Sequence, residues 1–309
     1  MVTQLSQAEN TKSWWLNILA CPRCNQPLKI LTSCQACGAT FSLDGNTPRL
    51  IDPSNRRELR FRFDASRSFV SETELLKVFK HPPVTLSAKE LPYHVDAAHA
   101  HFLASMQKGA RVLEIGCGGG QSRQWYLNND FEYVGTDISK TRVPELLQRH
   151  GGPDLLCDVH FLPFADHSVD LVYASAVFEH LACPILAAKE IHRVLKPGGA
   201  FLGNVSFLEP WHDHSFFHLS PLGAYELLKG SGFTIEYLWP GRSYSGFRAL
   251  ANMSLRKGLR WIGTLGHYLY QVQNRALALV RAALKKPSKH PILDEAKVAG
   301  AIDWIAIKP

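Results

Sequence analysis

The chain has 309 residues, of which 46% are hydrophobic, and a formal net charge of +7. This composition supports a large buried core and excludes a disordered protein. No stretch approaches the roughly 18 apolar residues of a membrane-spanning helix, no N-terminal signal run is recognisable, and the seven cysteines do not suggest a disulfide framework. We therefore expect a cytoplasmic protein with one full domain and smaller appendages.

Two cysteine pairs lie near the N-terminus, Cys21-Pro-Arg-Cys24 and Cys34-Gln-Ala-Cys37. A short hairpin between them would bring four thiolates to one point, as a tetrahedral zinc ion requires. A redox-active motif would need one pair rather than two. Because all four ligands come from the protein, we predict a closed, structural zinc site. We assign residues 1–52 to this ribbon and expect it to be remote from the cofactor pocket.

The chain after the ribbon reads as a linker followed by alternating strands and helices. Residues 53–90 are rich in charge and proline, which predicts a linker, and the main domain is placed at 91–309. A helix is expected from Ala97 to Met106. Strands are expected near 111–115, 131–136, 155–157, 169–173, 200–206 and 233–238, with a last strand within 301–309. This alternation predicts an α/β fold: a Rossmann-like, seven-stranded, mainly parallel sheet with helices on both faces, beside the small zinc ribbon.

The first strand of the main domain runs into a glycine turn, Glu114-Ile-Gly-Cys-Gly-Gly-Gly120. Glycines at this point let a ligand lie against bare backbone, and the helix N-terminus that follows offers N–H groups to anions. Gln121 stands where an NAD-binding fingerprint has its third glycine. Asp137 ends the second strand, where a carboxylate can accept the hydroxyls of a ribose. Asp158 follows the third strand.

The E-x-G-x-G turn resembles motif I of the class I S-adenosylmethionine (SAM)-dependent methyltransferases, in particular the methyltransferase type 11 group. The resemblance continues in order through Leu162-Pro-Phe-Ala-Asp-His-Ser-Val-Asp-Leu-Val172 and Arg193-Val-Leu-Lys-Pro-Gly-Gly199. It implies SAM as cofactor, with Asp158 accepting from the adenine amino group. The implied SAM-binding residues are Glu114, Gly116, Gly118, Asp137, Asp158 and Val159. The segment from Leu19 to Leu50 resembles the Trm112-like zinc ribbon.

Two histidine-containing segments compete for the role of general base. Glu179-His180 follows the fourth strand; a similar pair helps to hold a divalent ion in ubiquinone-type O-methyltransferases, but Ala176 stands where their pattern needs another acid. The second segment runs from Glu209 to His218 and follows the fifth strand. Histidines titrate near neutral pH and can accept the proton of a hydroxyl. We rank His214 and His218 ahead of His212, and keep His180 as the remaining candidate.

The positive charge is concentrated in residues 241–299, which we interpret as a basic, partly helical insertion before the last strand. This segment has eleven Lys/Arg and two acidic residues, a net +9, so the rest of the chain carries −2. Apolar residues recur at helical spacing between Leu269 and Leu284. Three interpretations remain open: a helix packed on the domain or on a second subunit in a homo-oligomer, contact of 250–286 with an anionic membrane surface, or contact with RNA.

The sequence predicts SAM-dependent O- or N-methylation of a small molecule, such as a sugar, a lipid-linked precursor or a secondary metabolite. The segment after the fourth strand, Tyr173-Ala-Ser-Ala-Val177, lacks the N/D-P-P-Y/F turn common in methyltransferases that act on base amines in DNA. One alternative is an rRNA or tRNA methyltransferase whose ribbon and basic insertion contact phosphates. Another is a non-catalytic scaffold that binds SAM or a partner.

Overall fold

The computed structural model describes residues 13–58, 65, 70–84, 95–141, 143–241, 245–285 and 290–309. Parts of the sequence predictions lie outside these residues: 1–12 of the ribbon, parts of the 53–90 linker, and Arg242, Lys286 and Lys289 of the basic insertion.

The described residues contain nine strands and nine α-helices. The strands are β1 Ser42–Asp44, β2 Thr47–Leu50, β3 Arg111–Ile115, β4 Glu132–Asp137, β5 Leu155–Cys157, β6 Val169–Ala174, β7 Leu195–Ser206, β8 Thr234–Pro240 and β9 Ala301–Ile307. The helices are α1 Glu72–Val78, α2 Ala97–Ala104, α3 Arg123–Asn128, α4 Pro144–His150, α5 Pro184–Val194, α6 Pro221–Gly230, α7 Gly246–Ser254, α8 Trp261–Ala283 and α9 Pro291–Ala296. In the described part of the chain, no helix has the length and apolarity needed to cross a membrane.

All strands belong to one sheet in the order β1-β2-β5-β4-β3-β6-β7-β9-β8. The pairs from β2 to β7 in this order are parallel, while β9 runs antiparallel to both β7 and β8. Strands β3 to β9 confirm the predicted seven-stranded, mainly parallel sheet of the main domain. Strand β4 lies on one side of β3, and β6 lies on the other side. Because the connections that leave β3 and β5 run in opposite directions along the sheet, a crevice opens at the carboxyl ends of these strands.

The strands of the main domain are apolar along most of their length because helices cover both faces of the sheet. In β3, Val112 and Leu113 are fully buried although they point to opposite faces. In the antiparallel part of the sheet, Trp304 of β9 packs edge-on against Phe201 of β7, with ring centroids 5.3 Å apart. This core holds the carboxyl ends of β3 to β7 in fixed positions.

The ribbon is joined to the main sheet, and the expectation that it is remote from the cofactor pocket is wrong. Strand β2 pairs in parallel with β5, with Leu50 opposite Cys157. The Ala20 N–H also donates to the Pro163 carbonyl (3.0 Å), and the Ala165 N–H donates to the Ile18 carbonyl (2.8 Å). Without the hairpin, β5 would be an exposed edge with unpaired N–H and C=O groups. The hairpin satisfies that edge.

Candidate active site

The glycine turn after β3 forms the floor of the crevice. Gly116 has a φ of +72°, and a Cβ built there would lie 2.3 Å from Cγ2 of Val177. Both the backbone conformation and the space therefore require glycine at this position. The Gly118 N–H donates to Oδ2 of Asp137 at 2.9 Å, which ties the turn to the end of β4.

A cavity of about 500 Å³ opens beside this turn, at the carboxyl ends of β3, β4 and β5. Of the predicted site residues, it brings together Gly116, Asp137, Asp158, Val159 and His180; Glu114 and Gly118 do not line it. The remaining lining residues are Ile115, Thr136, Ile138, Cys157, His160, Ala176, Val177, Leu181, Ala182, Asp213 and Phe216. A cavity of this size, mostly apolar with a few polar groups, is typical of a site for a small molecule or cofactor.

Asp137 and Asp158 present carboxylates from the ends of adjacent strands. Burial raises the pKa of Asp137, against the backbone hydrogen bonds it accepts from residues including Gly118. Burial also acts to raise the pKa of Asp158, but the His160 side chain and backbone N–H hold it below its ordinary value. The His160 ring lies with Nδ1 2.6 Å from Asp158 Oδ1, and its Nε2 accepts from the Cys183 N–H at 3.3 Å. The orientation of the Asp158 carboxylate is therefore fixed.

Glu114 is a buried residue of β3, two positions before the glycine turn. The Tyr133 hydroxyl donates a hydrogen bond to its carboxylate. Burial is the main reason why the pKa of Glu114 rises to about 7. In this position the side chain joins β3 to Tyr133 of β4 and does not line the cavity.

A second cavity of about 440 Å³ adjoins the first, and Ala176 lines both. Ala176 has a φ of +54°, in the left-handed region that is unfavourable for a residue with a Cβ. Its N–H donates to Oδ1 of Asn204 at 2.8 Å, which helps to hold this conformation. Backbone strain of this kind is often found at functional sites. The other lining residues are Val95, Asp96, Ser175, Glu179, Asn204, Ser206, Glu209, His212, Gly241, Met253, Ala301 and Asp303.

Four acidic side chains line the second cavity, and burial raises the pKa of two of them, Asp303 and Glu209. Burial raises the pKa of Asp303 well above its ordinary value, and the charge of Asp96 adds to this effect. The Ser206 hydroxyl lies 2.8 Å from both Glu179 Oε1 and Glu209 Oε2, and it can donate to only one of them. If the Ser206 hydroxyl donates to Glu179, its contact with Glu209 is favourable when the Glu209 carboxyl is protonated and donates to the Ser206 oxygen.

His212 lines the second cavity, and its ring is held by the backbone. Its Nδ1 lies 2.9 Å from the Pro210 carbonyl, so Nδ1 carries the proton and Nε2 is left as an acceptor. Nε2 lies 3.8 Å from Glu209 Oε2. The His180 ring, which lines the first cavity, packs edge-on against His212 with centroids 5.5 Å apart. These two histidines therefore stand at the junction of the cavities.

The two histidines ranked first from the sequence are placed differently. His214 is exposed and packs against Trp211, with ring centroids 5.8 Å apart. His218 is half-buried, and its Nε2 lies 3.1 Å from the Ser215 hydroxyl. Neither lines either cavity. The structure thus favours His212 over His214 and His218 as a base.

Ligand atoms of Glu179, His180 and His212 lie within 4.8 Å of one another. Glu179 is 1% exposed, and its Oε2 has no hydrogen-bond partner. One carboxylate and two imidazoles form a donor set that a divalent cation could use. The same buried carboxylate could instead stabilise a protonated His212.

The four ribbon cysteines converge as predicted. The Sγ atoms of Cys21 and Cys37 are 3.7 Å apart, and so are those of Cys24 and Cys34. A tetrahedron with metal–sulfur bonds of about 2.3 Å has edges of about 3.8 Å, so these spacings fit zinc. Burial acts to raise the pKa of the Cys34 thiol, but backbone N–H groups of Cys37 and Ala36 bring it down to about 7.

Comparison with known proteins identifies the central part of the chain. Residues 113–203 match the family described as methyltransferase domain. The chain contains a methyltransferase domain. This domain includes the glycine turn, Asp137, Asp158 and the Glu179–His180 pair. The name of one sequence relative also states a SAM-dependent methyltransferase, which agrees with the type of enzyme predicted from the sequence.

The names of the relatives do not agree on one acceptor, since they include sterol methyltransferases and a probable tRNA methyltransferase. A sterol 24-C-methyltransferase of Aspergillus fumigatus is 36% identical over 120 residues, 35% of this chain and 32% of that protein. A Mycolicibacterium smegmatis protein named "probable S-adenosylmethionine-dependent methyltransferase" is 33% identical over 146 residues, 43% of this chain and 56% of that protein. The chain thus spans between about a third and just over half of these last two relatives. A solved complex of the Haloferax volcanii Trm112 methyltransferase activator with a methyltransferase aligns with a TM-score of 0.42 and 21% identity, over 68% of this chain and 87% of that chain.

Several residues of the second cavity were missed from the sequence. Asn204 lies within the predicted strand 200–206, and Asp303 lies in the last apolar strand. An acidic residue inside an otherwise apolar strand is a signal that could have been used, because buried charges are rare without a function or a partner. Asp96 was also missed, since it precedes α2 and acts as its N-cap.

Proposed function

We propose that this protein transfers a methyl group from SAM to a hydroxyl or amine of a small molecule whose reacting polar group is bound in the second cavity. The observation that carries the proposal is the junction at Ala176, where the cofactor cavity meets a cavity containing a correctly oriented histidine, His212. The first cavity fits SAM because Gly116 leaves its floor open and two carboxylates stand on adjacent strands.

When bound, SAM would supply an electrophilic methyl group. Asp137 would accept hydrogen bonds from the ribose hydroxyls, and Asp158 would accept a hydrogen bond from the adenine amino group. His212 Nε2 would take the proton of an acceptor hydroxyl, and Glu179 would stabilise the resulting imidazolium. The acidic groups Asp303 and Glu209 can hydrogen-bond to hydroxyls or to an amine of the acceptor.

The test is the single-turnover rate of His212→Ala, with His214→Ala as a matched control from the same loop. We expect His212→Ala to lose about 10²–10⁴-fold in rate, while its affinity for S-adenosylhomocysteine stays unchanged. His214→Ala should retain nearly full activity because its ring is outside both cavities. The reverse pattern would restore the ranking made from the sequence and would reject His212 as the base.

A further inference from the structure

Helix α8 contacts the rest of the protein through small and polar residues. Gly263 is its one buried residue, and a Cβ there would lie 2.4 Å from Cβ of Ala251 in α7. The half-buried His267, Tyr270 and Asn274 follow at helical spacing on the same face. The Tyr270 hydroxyl donates to the Asp294 carbonyl at 2.8 Å. The inward face of α8 is therefore compact and polar.

The outward faces of α7 and α8 are apolar, the reverse of a normal surface helix. Leu250 of α7 is 59% exposed, and Leu279 of α8 is 73% exposed. The exposed large apolar residues of α8 are Trp261, Ile262, Leu265, Tyr268, Leu269, Val272, Leu277, Leu279 and Val280, and those of α7 are Phe247, Leu250 and Met253. An apolar surface of this extent marks an interaction site. We call it the α7–α8 face.

The charged residues of the segment that forms the α7–α8 face are all basic, although one of them, Arg281, pairs with Asp294 outside this segment at 3.8 Å. Residues 245–285 include no Asp or Glu and seven basic residues: Arg248, Arg256, Lys257, Arg260, Arg275, Arg281 and Lys285. Apolar and basic groups on one helical surface match an anionic lipid bilayer, which offers both an apolar interior and negative head groups. RNA would use the charges but not the apolar residues. A second copy of the chain would bring like charges together.

An apolar groove lies between this face and the acceptor cavity, and Glu209 lines both the groove and the cavity. The groove has a volume of about 520 Å³ and is lined by Phe207, Leu208, Glu209, Pro210, Gly246, Phe247, Leu250, Lys297 and Val298. Its Phe247 and Leu250 belong to the α7–α8 face. A molecule with an apolar chain in the groove could therefore place a polar head in the cavity.

We propose that the α7–α8 face docks the protein on an anionic lipid surface, and that the methyl acceptor is an amphiphile drawn from that surface. The second part rests on the proposed function, since it assigns the acid-lined cavity to the head group of the acceptor. The docking itself requires neither cofactor nor acceptor.

Co-sedimentation of the full chain with lipid vesicles tests the docking. Vesicles of phosphatidylcholine alone are compared with vesicles that contain phosphatidylglycerol at one part in three. We expect the wild type to bind the anionic vesicles at least about tenfold more strongly, because each Lys or Arg near the surface contributes about 1 kcal/mol, or about fivefold. The double variant Leu265→Ser/Leu269→Ser should weaken binding by more than about tenfold.

Matched variants separate docking from general effects. Leu127→Ser removes a leucine that is 48% exposed on α3, outside the α7–α8 face, and should bind vesicles like the wild type. Arg256→Gln/Lys257→Gln should bind more weakly, whereas Lys108→Gln, which removes an exposed charge elsewhere, should not.

Three outcomes would overturn the docking proposal: no preference of the wild type for anionic vesicles, a dimer in sedimentation equilibrium that the Leu265→Ser/Leu269→Ser variant abolishes, or binding to RNA that the same variant abolishes. S-adenosylhomocysteine affinity is measured in parallel. Vesicle binding without cofactor binding would reject the proposed function alone, and the opposite result would reject docking alone.

Discussion

Leu50 of the ribbon hairpin pairs in parallel register with Cys157, the residue immediately before Asp158. Cys157 and Asp158 both line the first cavity. The ribbon hairpin and the part of this cavity beside Asp158 are therefore linked by two adjoining strands, β2 and β5. The ribbon is positioned to stabilise the strand that presents Asp158.

This pairing predicts that loss of zinc weakens cofactor binding. Cys34→Ser should lose the metal and loosen the hairpin, because a structural zinc site and its fold form together. We expect S-adenosylhomocysteine affinity to fall roughly tenfold, about 1.4 kcal/mol. Elemental analysis and titration calorimetry give the two readings. Cys183→Ser, which changes a cysteine outside the cluster, is the control. Unchanged affinity in a metal-free Cys34→Ser protein would separate the ribbon from the cofactor site.

Asp137→Ala should abolish most cofactor affinity. A carboxylate at this position would make two charge-assisted hydrogen bonds to a ribose, each worth roughly 1.5–3 kcal/mol. Titration calorimetry with S-adenosylhomocysteine is the measurement, and circular dichroism checks the fold. Asp130→Ala is the matched control, since Asp130 lies on an exposed turn and pairs with Lys108. Equal affinities of the two variants would contradict the assignment.

The buried Glu114 carboxyl predicts a pH dependence of stability. Its pKa rises from an ordinary 4.5 to about 7 in the folded protein, mainly through burial. The folded state therefore binds more protons between these values, and stability falls as pH rises from about 4.5 to about 7. The loss attributable to this group is up to roughly 3 kcal/mol.

Glu114→Gln should remove this component of the pH dependence while keeping an oxygen acceptor for the Tyr133 hydroxyl. Urea unfolding of both proteins at several pH values from 4.5 to 8 gives the difference in free energy of unfolding. We expect the variant to become more stable relative to the wild type as pH rises, because only the wild type loses stability when Glu114 ionises. A difference that stays constant across this range would show that Glu114 does not titrate there.

Glu179→Gln tests whether the buried carboxylate acts through charge. The amide oxygen can keep the hydrogen bond from Ser206, but the negative charge near His212 is lost. We expect the methyl-transfer rate to fall roughly tenfold, about 1.4 kcal/mol of activation free energy, with unchanged S-adenosylhomocysteine affinity. Added Mg²⁺ or Mn²⁺ should not alter the wild-type rate. A saturable increase with either ion, absent in Glu179→Gln, would instead assign the Glu179, His180 and His212 cluster to a metal.

The sequence predicted the parts of the site whose signals are local. The glycine turn and Asp137 follow apolar strands directly, so each could be placed at a strand end. The second cavity could not be predicted in this way, because Asp96, Asn204 and Asp303 meet only through the pairing of β7 with β9 and the packing of α2. The three histidines of this segment lie within seven residues of one another, so the sequence alone could not tell which ring lines a cavity. In the structure, Asp213 and His214 have left-handed backbone, and the His214 ring is exposed.

Strand β9 lies between β7 and β8 in the sheet, although it follows both in sequence and is therefore translated last. Trp304 of β9 is opposite Gly203 of β7 on one side and Leu238 of β8 on the other. During translation, β8 therefore has no place in the sheet until residues 301–307 emerge. The apolar α7 and α8 are made in that interval, while the sheet that anchors them is incomplete. Contacts of such long sequence separation form slowly, so we expect nascent chains halted before residue 301 to be prone to aggregation and to depend on chaperones.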